Sequence, residues 1–243
     1  RRLPQEIPKT TLPGGDMVEQ AFVRIQQAGY TKVLAINLSG GLSGTGNLVR
    51  LMGEQIVGLE VAAFDTLSGS LGIGMTVIQA ARWIEEGWSW SELLRAMPML
   101  VRDTHVFFCV DTLEYLRKGG RIGKIAAVAG TLLQIKPIIS FAPDGELTSV
   151  AKIRGRKAAM QKMVQLATAL VPRGVPFNLA VAHGDSPVEL KEIREMAQKS
   201  LPDYLHLMEG EIDCTLGAYV GPHLLGVGVQ MLSEALSAAG KEN

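Results

Sequence analysis

Cysteine is scarce in this chain, and its scarcity excludes the small disulfide-rich folds. The 243 residues include two cysteines, Cys109 and Cys214, which are too few for a disulfide framework. Both cysteines lie in apolar segments, so we predict that both are core residues. Proteins without disulfides are typical of reducing compartments, and we expect a cytoplasmic location.

The chain also lacks an excess of charge and a long apolar run. Its 24 Lys and Arg residues balance 24 Asp and Glu residues, and a nucleic-acid-binding surface needs a basic excess to displace counterions. The most apolar stretch, 125–141, contains Gln134, Lys136 and Pro137, whereas a membrane span needs about 18 or more apolar residues. We therefore expect neither nucleic-acid binding nor stable membrane insertion.

The first part of the chain alternates between strand and helix patterns. Apolar strand patterns at 32–38 and 60–65 are interleaved with helical patterns at 16–29 and 75–87. This order is typical of a parallel sheet covered by helices. We predict an N-terminal α/β domain over 1–103 with a Rossmann-like parallel sheet.

The second part has a different pattern, because two strand-like segments flank a turn. The turn signal Pro-Asp-Gly at 143–145 separates 136–141 from 147–153, which predicts a β-hairpin. A helical pattern at 155–171 and an apolar strand at 177–183 follow. We predict a second α/β domain over 104–243, with a mixed sheet that contains the hairpin.

Four helix starts carry capping signals. Asp16 is the expected cap of the first helix, and the sequences Ser-Trp-Ser-Glu (89–92) and Asp-Thr-Leu-Glu (111–114) have the spacing of a capping box. Ser186 is followed by Pro187 and, three residues after the cap, by a glutamate, which predicts a helix beginning there.

Two glycine-rich stretches invite a nucleotide-binding interpretation, and neither fits. The glycines of 68–74 do not have dinucleotide-binding spacing. The stretch 119–124 resembles a P-loop, but its glycines are too close together, and Ile125 stands where a magnesium-binding hydroxyl is needed. The surrounding basic stretch, 116–124, fits a solvated helix end or a surface that docks a partner protein.

Two residues keep an enzymatic interpretation open. Ser43 could be a nucleophile and His183, which follows a strand, could act as a base. The chain has no Gly-x-Ser-x-Gly elbow and no histidine or cysteine pair at metal-ligand spacing, so we expect no metal site.

Hydroxyl-rich loops precede two helices of the first domain. One loop contains Thr10 and Thr11, and the other contains Ser39, Ser43 and Thr45. Loops at strand ends are the usual ligand position in open α/β sheets, and the following helix N-terminus adds N–H donors. The two loops can converge on a carboxylate or phosphate held by uncharged donors.

Seven motifs in order along the chain resemble those of DegV-family fatty-acid-binding proteins. The pair Tyr-Leu-Arg-Lys-Gly-Gly-Arg-Ile and Ile-Lys-Pro-Ile-Ile followed by Asp-Gly is the most specific part of the resemblance. The seven motifs are PKTTLPGGD (8–16), LSGGLSGT (38–45), FDTLSGSLGIG (64–74), TLEYLRKGGRI (112–122), LLQIKPII (132–139), DGEL (144–147) and KIRGRKAA (152–159).

The resemblance implies a carrier function. Such proteins hold a long-chain fatty acid between two α/β domains, without another cofactor. In bacteria they present its carboxyl group to a separate fatty acid kinase, which forms an acyl phosphate for phospholipid synthesis. The chain would then be the carrier subunit and not itself an enzyme. The family normally has one more strand and helix before the first threonine loop, so we expect the first domain to lack them here.

The resemblance also implies the binding residues. Thr10 corresponds to the threonine that hydrogen-bonds the carboxyl group. Ser39 corresponds to the first serine of a Ser-Ser-Gly motif, and Gly40 replaces the second serine of that motif. Tyr219 stands where the family has a histidine near the carboxyl group, and His223 stands at a glycine position, so either could be the donor. The remaining implied residues are Thr11 and Ser43 in the loops, Arg121 near the interface, and Arg154, which would face the kinase or the phosphate.

The second domain is rich enough in apolar residues to enclose an acyl chain. Burying one methylene group contributes about 0.8 kcal/mol. The candidate tunnel residues, most of which must form ordinary core, are Phe107, Ile122, Ile125, Val128, Leu132, Leu133, Ile135, Ile138, Ile139 and Phe141.

Two other functions remain open at this point. One is an enzyme that acts on a small substrate such as a phosphorylated ketose. Such an enzyme would be related to the substrate domain of dihydroxyacetone kinase. The other is a regulatory module that senses lipid without donating it.

Overall fold

The structure is a computed structural model that describes residues 7–128 and 135–241. Within these ranges none of the helices is both long enough and apolar enough to cross a membrane. The described strands are β1 (Lys32–Asn37), β2 (Glu60–Asp65), β3 (Thr104–Cys109), β4 (Ile135–Phe141), β5 (Leu147–Arg154), β6 (Phe177–Gly184), β7 (Leu207–Glu211) and β8 (Leu224–Met231). The described helices are α1 (Gly15–Gln27), α2 (Thr45–Gln55), α3 (Leu71–Glu85), α4 (Trp90–Arg102), α5 (Glu114–Lys118), α6 (Arg156–Leu170), α7 (Pro187–Ser200), α8 (Cys214–Val220) and α9 (Ser233–Ala239), with a 3₁₀ helix at Gly123–Val128.

A small parallel sheet forms the N-terminal part of the molecule. Strands β1 and β2 pair in parallel from Lys32 opposite Glu60 to Asn37 opposite Asp65, as the alternating pattern predicts. Helices α1 and α2 pack together beside it, around a core that includes Phe22. Because the strands are parallel, the loops that follow them emerge at the same edge of the sheet.

A six-stranded mixed sheet forms the larger part. Its strand order is β5-β4-β3-β8-β6-β7, and among the described pairs of this sheet only β6 and β7 run parallel. Strands β4 and β5 form the predicted hairpin, with Phe141 opposite Leu147 next to the turn.

The two faces of the large sheet pack against different parts of the molecule. Because side chains alternate along a strand, Phe107 and Cys109 of β3 join the core under α6 and α7. Val106 and Phe108 of the same strand point to the opposite face, where they pack with residues that include Leu42 of the loop after β1. The second face is therefore the one that meets the N-terminal part.

Helices α3 and α4 connect the two parts of the molecule. Helix α3 packs against β1 of the small sheet and against β3, β6 and β8 of the large sheet. Helix α4 packs on α9, and Leu100 and Ala235 share the same buried cluster. The division between residues 103 and 104, which stays a prediction, falls between α4 and β3.

The capping signals were partly wrong. Ser89 and Glu92 form the predicted capping box of α4. Helix α1 is capped by Gly14 instead, so that Asp16 lies within its first turn. Helix α5 begins at Glu114 without a side-chain cap. The Glu114 N–H donates to the Thr112 hydroxyl at 3.2 Å, and the Glu114 carboxylate accepts from Arg117 at 2.8 Å.

Helix α7 begins at Pro187 with Ser186 at its N-cap position, as predicted, although the Ser186 side chain makes no capping hydrogen bond. The Ser186 hydroxyl instead lies 3.0 Å from Nδ1 of His223. The hydroxyl therefore contacts a residue 37 positions along the chain.

The two cysteines differ in their surroundings. Cys109 is buried as predicted, and burial raises the pKa of its thiol to about 11. Cys214 is exposed at the first position of α8, so the prediction that it is a core residue is wrong. Its apolar sequence neighbours are distributed around a short helix, and they do not enclose it.

Candidate functional site

A cavity lies between the loops of the N-terminal part and the second face of the large sheet. Its empty space is about 1120 Å³ when the portion open to solvent is included. Its apolar wall is formed by Leu38, Leu42, Leu71, Val106, Phe108, Leu116, Phe141, Leu147, Ala182, Ile212, Leu216, Val220 and Leu224. Its hydroxyl and cationic groups belong to Thr10, Thr11, Ser43, Thr45, Ser70, Thr215, Tyr219 and Arg121.

The two loops that follow β1 and β2 are tied together beside the cavity. The Asp65 carboxylate, at the end of β2, accepts hydrogen bonds from the backbone N–H of Gly40 at 2.9 Å and of Leu67 at 2.7 Å. The Thr66 hydroxyl donates to the Asn37 carbonyl at 2.8 Å. These bonds hold both loops at the same edge of the small sheet.

The loop after β1 also docks onto the turn of the β4–β5 hairpin. The Ser39 hydroxyl is fully buried and donates to the Gly145 carbonyl at 2.7 Å. Gly145 has a φ of +77°, and a Cβ atom there would lie 2.0 Å from the Ser39 hydroxyl oxygen. The Ser-Gly-Gly-Leu and Asp-Gly motifs are thus in direct contact, which fixes the distance between the loop and the sheet.

A pair of hydroxyl groups lies together in the lining of the cavity, and the region around it is called the carboxyl end below. The Thr10 hydroxyl lies 2.6 Å from the Tyr219 phenol oxygen, and the Thr10 backbone N–H donates to the same oxygen at 3.0 Å. The hydrogen bonds from Thr10 lower the pKa of Tyr219 below its ordinary value. When the Thr10 hydroxyl donates to Tyr219, the phenol proton is left for a ligand that accepts hydrogen bonds.

Arg121 lies beside this pair. Its Nη1 donates to the Gly119 carbonyl at 2.9 Å and its Nε donates to the Leu42 carbonyl at 3.3 Å. Its guanidinium carbon lies 5.3 Å from the centroid of the Tyr219 ring, within the range of a cation–π contact. The carboxyl end therefore combines uncharged donors with one positive charge.

Gly119 allows the Tyr219 ring to reach this position. A Cβ atom at residue 119 would lie 2.2 Å from Cδ1 of Tyr219, so any other residue would push the ring away. Helix α8, which carries Tyr219, is capped at its start by the Asp213 carboxylate, which accepts from the Leu216 N–H at 2.8 Å. Local capping and one glycine together place the phenol.

Five of the predicted site residues line the cavity, and the others lie elsewhere. Those that line it are Thr10, Thr11, Ser43, Arg121 and Tyr219. Ser39 faces the hairpin turn, and Gly40 is held through its N–H by Asp65. Arg154 is exposed at the end of β5.

His223 also lies away from the cavity. Its ring contacts Ser186, and its carbonyl accepts a hydrogen bond from Arg156 at 2.5 Å. Of the two donors that the sequence left open, the structure brings Tyr219 to the cavity.

The residues of the enzymatic alternative are engaged separately. The Ser43 hydroxyl lies 2.9 Å from the Thr45 hydroxyl. Nδ1 of the buried His183 accepts a hydrogen bond from the Ser186 N–H at 3.1 Å. Among the hydrogen bonds of the described residues, none joins Ser43 to His183.

At least two of the four cations in the basic stretch that suggested a docking surface form ion pairs within the chain. Arg117 pairs with Glu114 at 2.8 Å, and Lys124 pairs with Asp144 in the hairpin turn. Over the part of the chain that the structure describes, no group of three or more His, Cys, Asp or Glu side chains could hold a metal ion.

Several residues that line the cavity were not predicted from the sequence. Ser70 lies in the loop after β2, and the rule that ligands bind at strand ends could have identified it. Thr215 and Leu216 lie on α8, a short helix that no periodic pattern marks. Of the ten candidate tunnel residues Phe141 is among those that line the cavity, while Val128, Leu132 and Leu133 lie outside the residues whose side chains are described.

Comparisons with known proteins agree on one family. The model of a family described as "Uncharacterised protein, DegV family" matches residues 2–231. A DegV domain-containing protein of Clostridium perfringens is 34% identical over 228 residues, which are 94% of this chain and 80% of that protein.

Solved structures of similar fold include two fatty-acid-binding proteins. A fatty-acid-binding DegV family protein from Thermus thermophilus has 29% identity and a TM-score of 0.85, over 93% of this chain and 79% of that one. A stearic acid-binding protein from Eubacterium ventriosum has 25% identity and a TM-score of 0.84, over 95% and 80% of the two chains.

Proposed function

This chain belongs to the DegV family, and from that premise we propose that it binds a long-chain fatty acid in the cavity between its N-terminal loops and its large sheet. The carboxyl group lies at the end formed by Thr10, Tyr219 and Arg121, and the acyl chain lies along the apolar wall. The binding of fatty acids by the related proteins from Thermus thermophilus and Eubacterium ventriosum supports this proposal.

The observation that carries the proposal is the polarity of the cavity. Its wall is apolar along the large sheet, and its polar groups include the hydroxyl pair of Thr10 and Tyr219 at the carboxyl end. This lining suits an apolar molecule that carries a hydrogen-bond acceptor group. A fatty acid has this distribution of polarity, whereas a phosphorylated sugar would leave its hydroxyl groups against an apolar wall.

The energetics agree with this assignment. At about 0.8 kcal/mol for each buried methylene group, an acyl chain of roughly sixteen carbons gains on the order of 10 kcal/mol. The association cost of about 4–15 kcal/mol offsets much of this gain. Hydrogen bonds to the carboxylate therefore contribute a decisive part of the affinity.

We further propose that the protein presents the carboxyl group to a separate kinase in the cytoplasm. In that reaction a carboxylate oxygen attacks the γ-phosphorus of ATP, the bond between the β–γ bridging oxygen and that phosphorus breaks, and acyl phosphate and ADP form. Thr10 is exposed, which supports access to the carboxyl end from outside. Arg154, on the surface at the end of β5, remains a proposed kinase- or phosphate-facing residue.

Native mass spectrometry tests the first part of the proposal. The purified protein is stripped of bound lipid and titrated with palmitate or stearate, and we expect one molecule to bind per chain without a covalent bond. Tyr30→Phe is a control, because Tyr30 is 65% exposed and lies outside the cavity. Failure of the wild-type protein to bind either acid would contradict the proposal.

A coupled assay tests the second part. A bacterial fatty acid kinase and ATP are added to the loaded protein, and hydroxylamine traps any acyl phosphate as a hydroxamate. Formation of hydroxamate that requires this protein supports the carrier function. Stoichiometric binding without hydroxamate would favour the lipid-sensing module.

A further inference from the structure

A second cavity lies between α3 and the edge strand β7. It is lined on the helix side by Gly74 and Ile78 and on the strand side by Met208 and Gly210. Ile78 is 40% exposed, which places apolar surface at the opening of this cavity. The protein thus has an open groove beside α3, and Thr10, Tyr219 and Arg121 of the proposed carboxyl site do not line it.

The two cavities are neighbours that share a wall. Residues from α3, β6 and α8 contribute to both, and most of them are apolar. The shared residues are Ser70, Leu71, Ala182, Ile212 and Leu216.

Two glycines leave the second cavity unfilled. A Cβ atom at Gly74 or at Gly210 would meet no atom within 4 Å. Close packing therefore does not require glycine at either position, although a helix interior disfavours it by roughly 1 kcal/mol relative to alanine. The absence of side chains at these two positions keeps the space between α3 and β7 open.

The carboxylates next to the second cavity are directed elsewhere. Glu209 is paired with Arg194 of α7 at 3.0 Å, and α7 packs on the opposite face of the large sheet. Because side chains alternate along a strand, Glu211 points to that face as well, and the Asp213 carboxylate caps α8. The space between α3 and β7 is therefore bordered mainly by apolar side chains and backbone, which suits an uncharged alkyl terminus.

We propose that this second cavity is a subsite for the methyl end of long acyl chains, and that Gly74 and Gly210 set the longest chain that the protein accepts. The proposal rests on the fatty-acid binding proposed above. From Ser70 to Ile78 the helix rises about 12 Å, which is room for several methylene groups. Short chains end in the main cavity, and longer ones pass Leu71 and Leu216 into the subsite.

Variants that fill the subsite test this assignment. Gly74→Leu places a side chain in the open space of a helix, and Gly210→Val places one in a strand, where β-branched residues are favoured. Ala81→Leu is the matched control, because Ala81 lies on the exposed face of α3 outside both cavities. Affinities for saturated acids of fourteen to twenty carbons are measured for each variant, and thermal unfolding confirms that each one folds.

We expect Gly74→Leu and Gly210→Val to weaken binding of the longest acid about tenfold relative to the shortest, because a few methylene groups lose their burial. Ala81→Leu should keep the wild-type preference. If both subsite variants bind all lengths as the wild type does, or lose all lengths equally, the subsite is overturned while fatty-acid binding stands. If the wild type binds no acid of any length, the proposed function fails and the subsite fails with it.

Discussion

At the scale of single residues, the Tyr219 phenol determines the chemistry of the proposed carboxyl site. Its oxygen accepts the Thr10 N–H at 3.0 Å and lies 2.6 Å from the Thr10 hydroxyl. These hydrogen bonds stabilise the phenolate, which is why the pKa of Tyr219 is below its ordinary value. A protonated phenol donates to a carboxylate, whereas a phenolate repels it.

Fatty-acid affinity should therefore fall as the pH rises through the lowered pKa of Tyr219. Tyr219→Phe should bind about tenfold more weakly at neutral pH, because a hydrogen bond to a charged group is lost, and its affinity should no longer fall in the alkaline range. Fluorescence competition over a series of pH values measures both effects. Tyr30→Phe should behave as the wild type, and an unaltered alkaline decrease in Tyr219→Phe would contradict this role.

For Ser39, residue type and local sequence do not predict the hydrogen-bond partner. The sequence identifies Ser39 and Thr10 as hydroxyl residues in loops that precede helices, and it predicts the same function for both. The direction of each hydroxyl depends on partners far along the chain, since Ser39 donates to Gly145 and Thr10 contacts Tyr219. No local pattern contains those contacts.

Ser39→Ala should lower stability without weakening ligand binding. The substitution leaves the buried Gly145 carbonyl without this donor, which should cost about 1–2 kcal/mol in the free energy of unfolding. Urea denaturation measures this loss, and stearate affinity of the folded protein should match the wild type. A large loss of affinity at unchanged stability would place Ser39 in the binding site after all.

At the scale of elements, the sequence predicted those that have strong local signals. Strand β2 has the predicted bounds, and the Pro-Asp-Gly turn correctly identified the β4–β5 hairpin. The short helix α8 has seven residues and no extended periodicity. The position of Tyr219 on it was accordingly available from the family resemblance and not from the pattern.

The capping box of α4 allows a prediction at this scale. The Glu92 carboxylate accepts from the Ser89 N–H at 2.6 Å and pairs with Lys241 at 2.8 Å. The hydrogen bond to Lys241 is the main cause that lowers the pKa of Glu92 from 4.5 to about 2. Because the folded state holds the charged form, this contribution to stability is complete above about pH 4.5 and is lost as the pH falls towards 2.

Glu92→Gln should therefore lower the melting temperature at neutral pH and reduce its decrease between pH 4.5 and 2. Differential scanning calorimetry across this range makes the comparison. The control is Glu85→Gln on the exposed side of α3, which should retain the wild-type acid profile. Equal acid profiles for Glu92→Gln and the wild type would remove Glu92 from this role.

At the scale of the whole molecule, the cavity exists because two sheets are held at a fixed separation. The loops after β1 and β2 form one side, and β3, β4, β8 and α8 form the other. The contact between Ser39 and Gly145 bridges 106 positions of sequence. Local periodicity predicts each sheet, but it does not contain this separation, so the cavity volume could not be read from the sequence.

A ligand that touches both sides should stabilise the whole molecule. At a free fatty-acid concentration of 100 times Kd, linkage predicts a gain of about 2.7 kcal/mol, which corresponds to roughly 5–10 °C in Tm for a chain of this size. Hydrogen exchange should slow most in the loops 38–45 and 66–70 and in α8. Helices α6 and α7, on the opposite face of the large sheet, should show only the global change. Slowing that is strongest in α6 and α7 would place the ligand on the wrong face of the sheet, and it would refute the cavity as the binding site.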